Sequence, residues 1–230
     1  MTDFAMSHVL FALPKGVMNR ERTIITTSGT RISYRMNRGD LQGIREVWFD
    51  QVYRLPFNVP DGALLDLGAN IGLTTLWMAT RSHFGPIIAV EPDPGNAALV
   101  NKNLRQNGIS ATVVEAAVGP VDGTVFFEKA AWSNQGHVAE SGTPVRMISV
   151  AWILKEFGID KLSIVKVDIE GGEEALFLGP SEWMAHTHAM IVEFHPAVVD
   201  YPLLTRTVAS NGLKYIPASN DNMDIFVRQG

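Results

Sequence analysis

The sequence predicts an α/β protein of the doubly wound kind, with a mostly parallel seven-stranded sheet and an antiparallel hairpin at its end. Three observations predict it. Short apolar runs end in carboxylates: Ala63 to Leu65 before Asp66, Pro86 to Val90 before Glu91, and a run from Lys161 that reaches Asp168. The first run leads through a glycine turn, Gly68-Ala69-Asn70-Ile71-Gly72, into a helical segment. Strand-like and helix-like segments then alternate up to His195, and parallel strands need such crossovers.

The elements follow in order. Residues 1 to 20 carry little periodicity and read as an arm or short helix. Thr23 to Ile25 and Arg31 to Tyr34 flank Ser28-Gly29, the signature of a β-hairpin. Asp40 reads as the N-cap of a helix running to about Arg54, with Ile44, Val47, Trp48 and Val52 at helical spacing. Trp48, Phe49 and Tyr53 either pack on the sheet or line a pocket at its mouth. Ile71 to Arg81 is the first crossover helix. Pro94 to Asn107 is the second, opened by proline and closed before Gly108. Thr112 to Ala116 is the third strand. Val125 to Phe127 and Val145 to Ile148 form an inserted β-pair within residues 120–148. Ser149 caps a helix reaching Phe157, Lys161 to Ile169 is the fourth strand, and Ala189 to His195 the fifth. Pro202 to Asn211 is a helix, and Leu213 to Ile216 with Met223 to Val227 closes the chain. Residues 1–60 are thus a covering segment and 61–230 the nucleotide-binding domain.

Composition narrows the function. A chain of 230 residues with 46% hydrophobic side chains is one domain with a substantial core. The net charge of −5 argues against a nucleic-acid partner. With no cysteine there is no disulfide, no thiolate zinc site and no cysteine nucleophile. No apolar run is long enough to span a membrane and no secretion signal is read, so a cytoplasmic protein is expected. Homo-oligomerisation stays open.

The glycine turn defines the ligand. Asp66, Gly68, Asn70 and Gly72 lie at the carboxyl end of the first strand, where doubly wound sheets bind their ligands. Glu91, followed by Pro92, ends the second strand, where a carboxylate accepts hydrogen bonds from ribose hydroxyls. Glu115 and Ala116 end the third, beside the expected adenine. A dinucleotide loop would carry glycines at 70 and 73; this one has Asn70 and Leu73. An adenosyl ligand without phosphates fits better, and S-adenosylmethionine has that character.

The segments Leu65-Asp66-Leu67-Gly68-Ala69-Asn70-Ile71-Gly72, Val90-Glu91-Pro92-Asp93-Pro94 and Lys166-Val167-Asp168-Ile169-Glu170-Gly171 resemble, in this order, the FkbM family of class I S-adenosylmethionine-dependent methyltransferases. The resemblance covers residues 40 to 195. It implies a Rossmann-like class I methyltransferase fold and O-methylation of a small molecule, a sugar or a secondary metabolite of natural-product biosynthesis.

The fourth and fifth strands supply candidate chemistry. Alternation puts Lys166, Asp168 and Glu170 on one side of the fourth strand, and Glu193 and His195 share a side of the fifth. Methyl transfer to a hydroxyl needs alignment and a proton acceptor. His195 is the candidate base, because its unperturbed pKa lies near neutrality. Glu193 is expected to orient it, Asp168 to hold the acceptor hydroxyl or the cofactor's sulfonium end, and Glu170 to act in the same cluster or tie down the following turn. Lys166 reads as an ion-pair partner of Glu193 or Asp168. A divalent ion such as Mg²⁺ on Asp168, Glu193 and His195 is the alternative, not the favoured, reading. Trp132, Asn134 and His137 in the insertion are candidate contacts for the acceptor. The competing functions are an NAD-dependent oxidoreductase and a non-catalytic adenosyl-binding protein.

Overall fold

The computed structural model describes residues 19–128, 137–139, 141–195, 199–218 and 223–228, with the backbone alone for 128 and 137–139. The predicted arm at residues 1–18 lies outside them, as do Trp132 and Asn134.

Strands β1 (Glu21–Ile25) and β2 (Arg31–Arg35) pair antiparallel as a separate hairpin. Helix α1 (Arg38–Ile44) follows and passes directly into a π-helix, Arg45–Asp50. The cap is Asn37, whose side chain accepts from the Asp40 N–H, and not Asp40 itself. Asp40 is instead buried and paired with Arg35. The expected single helix to Arg54 ends at Gln51, which is left-handed at φ 52°. A π-turn inserts an extra residue per turn, so it re-aims side chains and recurs at functional sites.

The remaining elements are β3 (Ala63–Leu67), α2 (Leu73–Ala79), β4 (Ile87–Val90), α3 (Pro94–Arg105), β5 (Thr112–Val114), β6 (Ala117–Val118), β7 (Gly123–Glu128), β8 (His137–Ala139), β9 (Thr143–Ile148), α4 (Val150–Glu156), β10 (Leu162–Val167), α5 (Glu173–Leu178), a 3₁₀ turn (Glu182–His186), β11 (Thr187–Val192), α6 (Tyr201–Ser210), β12 (Leu213–Ile216) and β13 (Asp224–Arg228). The central sheet has the order β12-β13-β11-β10-β3-β4-β5. β5, β4, β3, β10 and β11 run parallel, and β13 is antiparallel to both β11 and β12. The inserted β-pair is larger than expected: β7 and β9 pair with β8 and β6 in a four-stranded second sheet.

The sheet is doubly wound and Rossmann-like, with its antiparallel strand β13 next to β11. Its strands are buried on both faces, which is why β3 and β10 are apolar except for Asp66, Ser163 and Lys166. Leu65, Leu67, Val165 and Val167 face α4, α5 and α6; Leu64, Ile164 and Ile191 face α2, α3 and residues 32–53. From β3 the chain steps outward through β4 and β5, then returns to lay β10 on the other flank of β3. The strand order therefore reverses between β3 and β10, and the crevice opens at their carboxyl ends.

The hairpin is bound to the domain by polar contacts. Buried Asn103 of α3 accepts from the Ser33 N–H at 2.7 Å and donates to Ser33 O at 3.0 Å and Ile71 O at 2.8 Å. One side chain thus joins β2 to the glycine turn.

Candidate active site

The glycine turn is shaped by the strand beside it. Gly68 has φ +79°, and a Cβ there would stand 1.8 Å from Asp168 O. Only glycine allows the turn after β3 to cross so close to the end of β10. Gly72, at φ +80°, opens α2 with a Cβ position 3.0 Å from Val100 Cγ1. Asn70 between them is also left-handed, at φ 50°, a region that asparagine tolerates better than most residues.

Asp66 is fully buried. Its Oδ2 accepts from Thr75 Oγ1 at 2.5 Å. Its Oδ1 accepts no hydrogen bond among the described residues and lies 3.4 Å from Lys166 Nζ. The parallel register sets Lys166 directly opposite Asp66. Lys166 Nζ also reaches Gly68 O at 2.6 Å and Asp168 at 3.3 Å. Burial opposes the lysine charge, but Asp168 and Asp66 outweigh it and hold the pKa above its ordinary value. Lys166 is therefore the internal cation between two carboxylates, with Asp66 added to the expected partner Asp168. Asn70 Oδ1 is a second buried acceptor without a partner among the described residues.

Glu91, 5% exposed, follows β4. Its Oε2 accepts from the Asn70 N–H at 2.8 Å, and its Oε1 from the Asp93 N–H at 3.0 Å and Asn96 Nδ2 at 3.1 Å. Burial raises its pKa to about 7 against these three bonds. Pro92 is half-buried beside it. Ala116 is buried, with its N–H on Glu91 O at 3.2 Å, while Glu115 is exposed.

Across the crevice, the ends of β10 and β11 gather Asp168, Glu170, Glu173, Glu193 and His195. Glu173 does the tying expected of Glu170 and the orienting expected of Glu193. Its Oε1 accepts from His195 Nδ1 at 3.0 Å and from the Ile169 and Gly171 N–H groups at 3.3 Å. Glu173 is fully buried. Glu170, left-handed at φ 53°, presents Oε2 to His195 Nε2 at 3.4 Å. Glu173 opens a helix that packs against the end of β11, a contact with no signature along the sequence.

Like charges crowd this side. The hydrogen bond to Glu173 leads in raising His195 to about 9, against the opposing effect of burial and with help from Asp168 and Glu170. Burial and Asp168 raise Glu170 to about 7 and Glu193 to about 8. Glu46, on the π-helix, is raised by burial and by Asp168 against a bond from Gln42. Tyr53 is buried, and burial raises its hydroxyl, which also feels Lys166, Asp168 and Glu193. Glu46 and Tyr53 thus lie on the Asp168 side of the crevice, whereas Val47 and Val52 pack into the core and Phe49 is 78% exposed. The donor atoms of Asp168, Glu170 and His195 lie within 4.8 Å of one another and could hold a divalent cation. Glu193 is not in that set, so the expected trio is replaced by one containing Glu170. His137 lies on β8, on the second sheet.

No described helix is long and apolar enough to cross a membrane. A family model, the methyltransferase FkbM domain, matches residues 66–201. The hexuronic acid methyltransferase AglP of Haloferax volcanii is 24% identical over 173 residues, 70% of this chain and 71% of that one. The methyltransferase sdnD of Sordaria araneosa is 23% identical over 193 residues, 66% of this chain and 74% of that one. Among solved structures, the methyltransferase FkbM of Methylobacillus flagellatus superposes with a TM-score of 0.52 at 17% identity, over 79% of this chain. This chain spans 47% of that structure's length, and the likeness shows the fold. The matched span contains Asp66, Glu91, the segment 166–173 and His195, and the chain belongs to the methyltransferase FkbM family.

Proposed function

We propose that this methyltransferase moves the methyl group of S-adenosylmethionine to a hydroxyl of a small molecule, with a sugar or secondary-metabolite alcohol as acceptor. The observation that carries the reading is the pairing of two unlike half-sites across the β3–β10 switch point. One half offers acceptors to an adenosyl ligand: Glu91 for ribose, and for the donors of an ammonium group Asn70 Oδ1, with no hydrogen-bond partner among the described residues, and Asp66 Oδ1, whose one charged neighbour there is Lys166 at 3.4 Å. The other half offers a histidine and carboxylates for an alcohol. The Haloferax relative is named for a hexuronic acid, which supports a polyhydroxylated acceptor.

The cofactor would supply an electrophilic methyl, so that the oxygen–carbon bond forms as the sulfur–carbon bond breaks and S-adenosylhomocysteine departs. The residues have three tasks. Asp168 holds the acceptor hydroxyl at the tip of β10, where positioning supplies much of the rate. His195 takes the hydroxyl proton on Nε2, because Nδ1 is held by Glu173 at 3.0 Å, closer than Glu170 stands to Nε2 at 3.4 Å. His195 must first be neutral; facing a sulfonium cation disfavours its imidazolium and lowers the value of about 9. Glu46 and Tyr53 close the crevice over the acceptor. A divalent ion on Asp168, Glu170 and His195 is the second reading, favoured by their 4.8 Å grouping. A cytoplasmic, unassisted enzyme is proposed.

The test is transfer from methyl-labelled S-adenosylmethionine to a panel of hexuronic acid glycosides and secondary alcohols. Label on acceptor oxygen, unaffected by a chelator, is expected. Label on nitrogen or carbon acceptors alone overturns the hydroxyl reading, and loss of turnover on chelation moves the chemistry to the cation.

A further inference from the structure

Arg35 lies on β2, outside the crevice, yet reaches it in two steps. Its Nε and Nη2 bond the buried carboxylate of Asp40, each at 2.9 Å. The same Nη2 donates to Asn96 Oδ1 at 2.7 Å. Asn96 Nδ2 in turn donates to Glu91 Oε1 at 3.1 Å. A guanidinium only donates and an ionised carboxylate only accepts, so the amide between them has one allowed orientation. Glu91 Oε1 then holds two donors, Asn96 and the Asp93 N–H, and Oε2 holds the Asn70 N–H. A carboxylate offers about four acceptor positions. The one left over by these donors sits on Oε2, on the glycine-turn side.

We propose that Arg35 and Asn96 are positioning residues for the adenosyl ribose: they pin Glu91 Oε1 so that Oε2 keeps an acceptor position aimed at a ribose hydroxyl. The inference rests on the adenosyl reading above. It makes the N-terminal hairpin a working part of the cofactor site. Among the described residues the hairpin shares no strand pairing with the central sheet, and it is joined to α3 through Asn96, Asn103 and Asn107. Groups that lock a ligating side chain's orientation govern how well it binds, even without touching the ligand.

The experiment is calorimetry with S-adenosylhomocysteine and with its 2′,3′-dideoxy analogue. Arg35→Met alone strands the buried Asp40 charge, so the paired variant R35M/D40N is used, with Asn96→Ser as an independent second variant. Both are expected to weaken S-adenosylhomocysteine by about tenfold, the low end for a hydrogen bond to a charged group, and to leave the dideoxy analogue within about twofold. On a Glu91→Gln background the same changes should add nothing, as coupled residues do. Equal weakening of both ligands, or no change in either, overturns the inference while leaving the adenosyl reading intact. Failure of the unaltered protein to bind S-adenosylhomocysteine removes that reading and this inference with it. If R35M/D40N does not fold, Asn96→Ser decides the matter.

Discussion

The two halves of the crevice solve opposite problems. At the tips of β3 and β4 the backbone does most of the work. Gly68 and Gly72 fold the turn, and Glu91 is held by three donors, two of them backbone N–H groups. At the tips of β10 and β11 side chains do it. Four acidic groups and one histidine share few donors, and Glu170, Glu193 and His195 are all displaced toward their protonated forms. On the proposed reading, the backbone-built half would hold the cofactor, and the half built from titratable side chains would take the acceptor's proton and could be altered residue by residue.

The largest effect should come from breaking the seam between the halves. Gly68→Ala puts a Cβ 1.8 Å from Asp168 O at a left-handed position. We expect a loss of ~3 kcal/mol or more, read by denaturant unfolding. A loss below ~1 kcal/mol would show that the seam yields. Next comes the proposed proton acceptor. His195→Ala should slow turnover by ~100-fold or more while sparing cofactor affinity. An unchanged rate would remove His195 from the chemistry.

The smallest effect is a slope with pH. Glu91, Glu170 and Glu193 have folded values of about 7, 7 and 8 against 4.5, and His195 about 9 against 6.5. Between about pH 4.5 and 9 the folded chain holds more protons than the unfolded one. Stability therefore falls as pH rises through that window. Thermal melting should show Tm dropping from pH 5 to pH 9, and Glu193→Gln should flatten the upper part of the slope. A Tm that rises over the same range would contradict the crowding of the acceptor half.

The same contrast explains what was legible in the sequence. Asp66, the two glycines and Glu91 could be placed because strand ends and turns have local signatures. The central sheet followed from apolar runs that must be buried on both faces. Side-chain partners across elements had no such signature. Glu173 takes His195 because a helix opening happens to face the end of β11, and no spacing along the chain encodes that contact. Asp40 has the composition of a helix cap, yet tertiary pairing with Arg35 uses it and Asn37 caps instead. The π-helix at Arg45–Asp50 breaks a periodic pattern that reads as one continuous helix. The two short strands that enlarge the second sheet fall below the length at which alternation is detectable.

The central claim is that ligand binding and proton transfer are divided between these halves. The direct test is calorimetry of S-adenosylhomocysteine against the unaltered protein, Glu91→Ala, Asp66→Ala and His195→Ala, with NAD as control. The account predicts binding to the unaltered protein and to His195→Ala within about twofold of each other, a loss of at least ~1–2 kcal/mol in Glu91→Ala and Asp66→Ala, and no NAD binding. Equal losses in all three variants, or binding of NAD in place of S-adenosylhomocysteine, would contradict it.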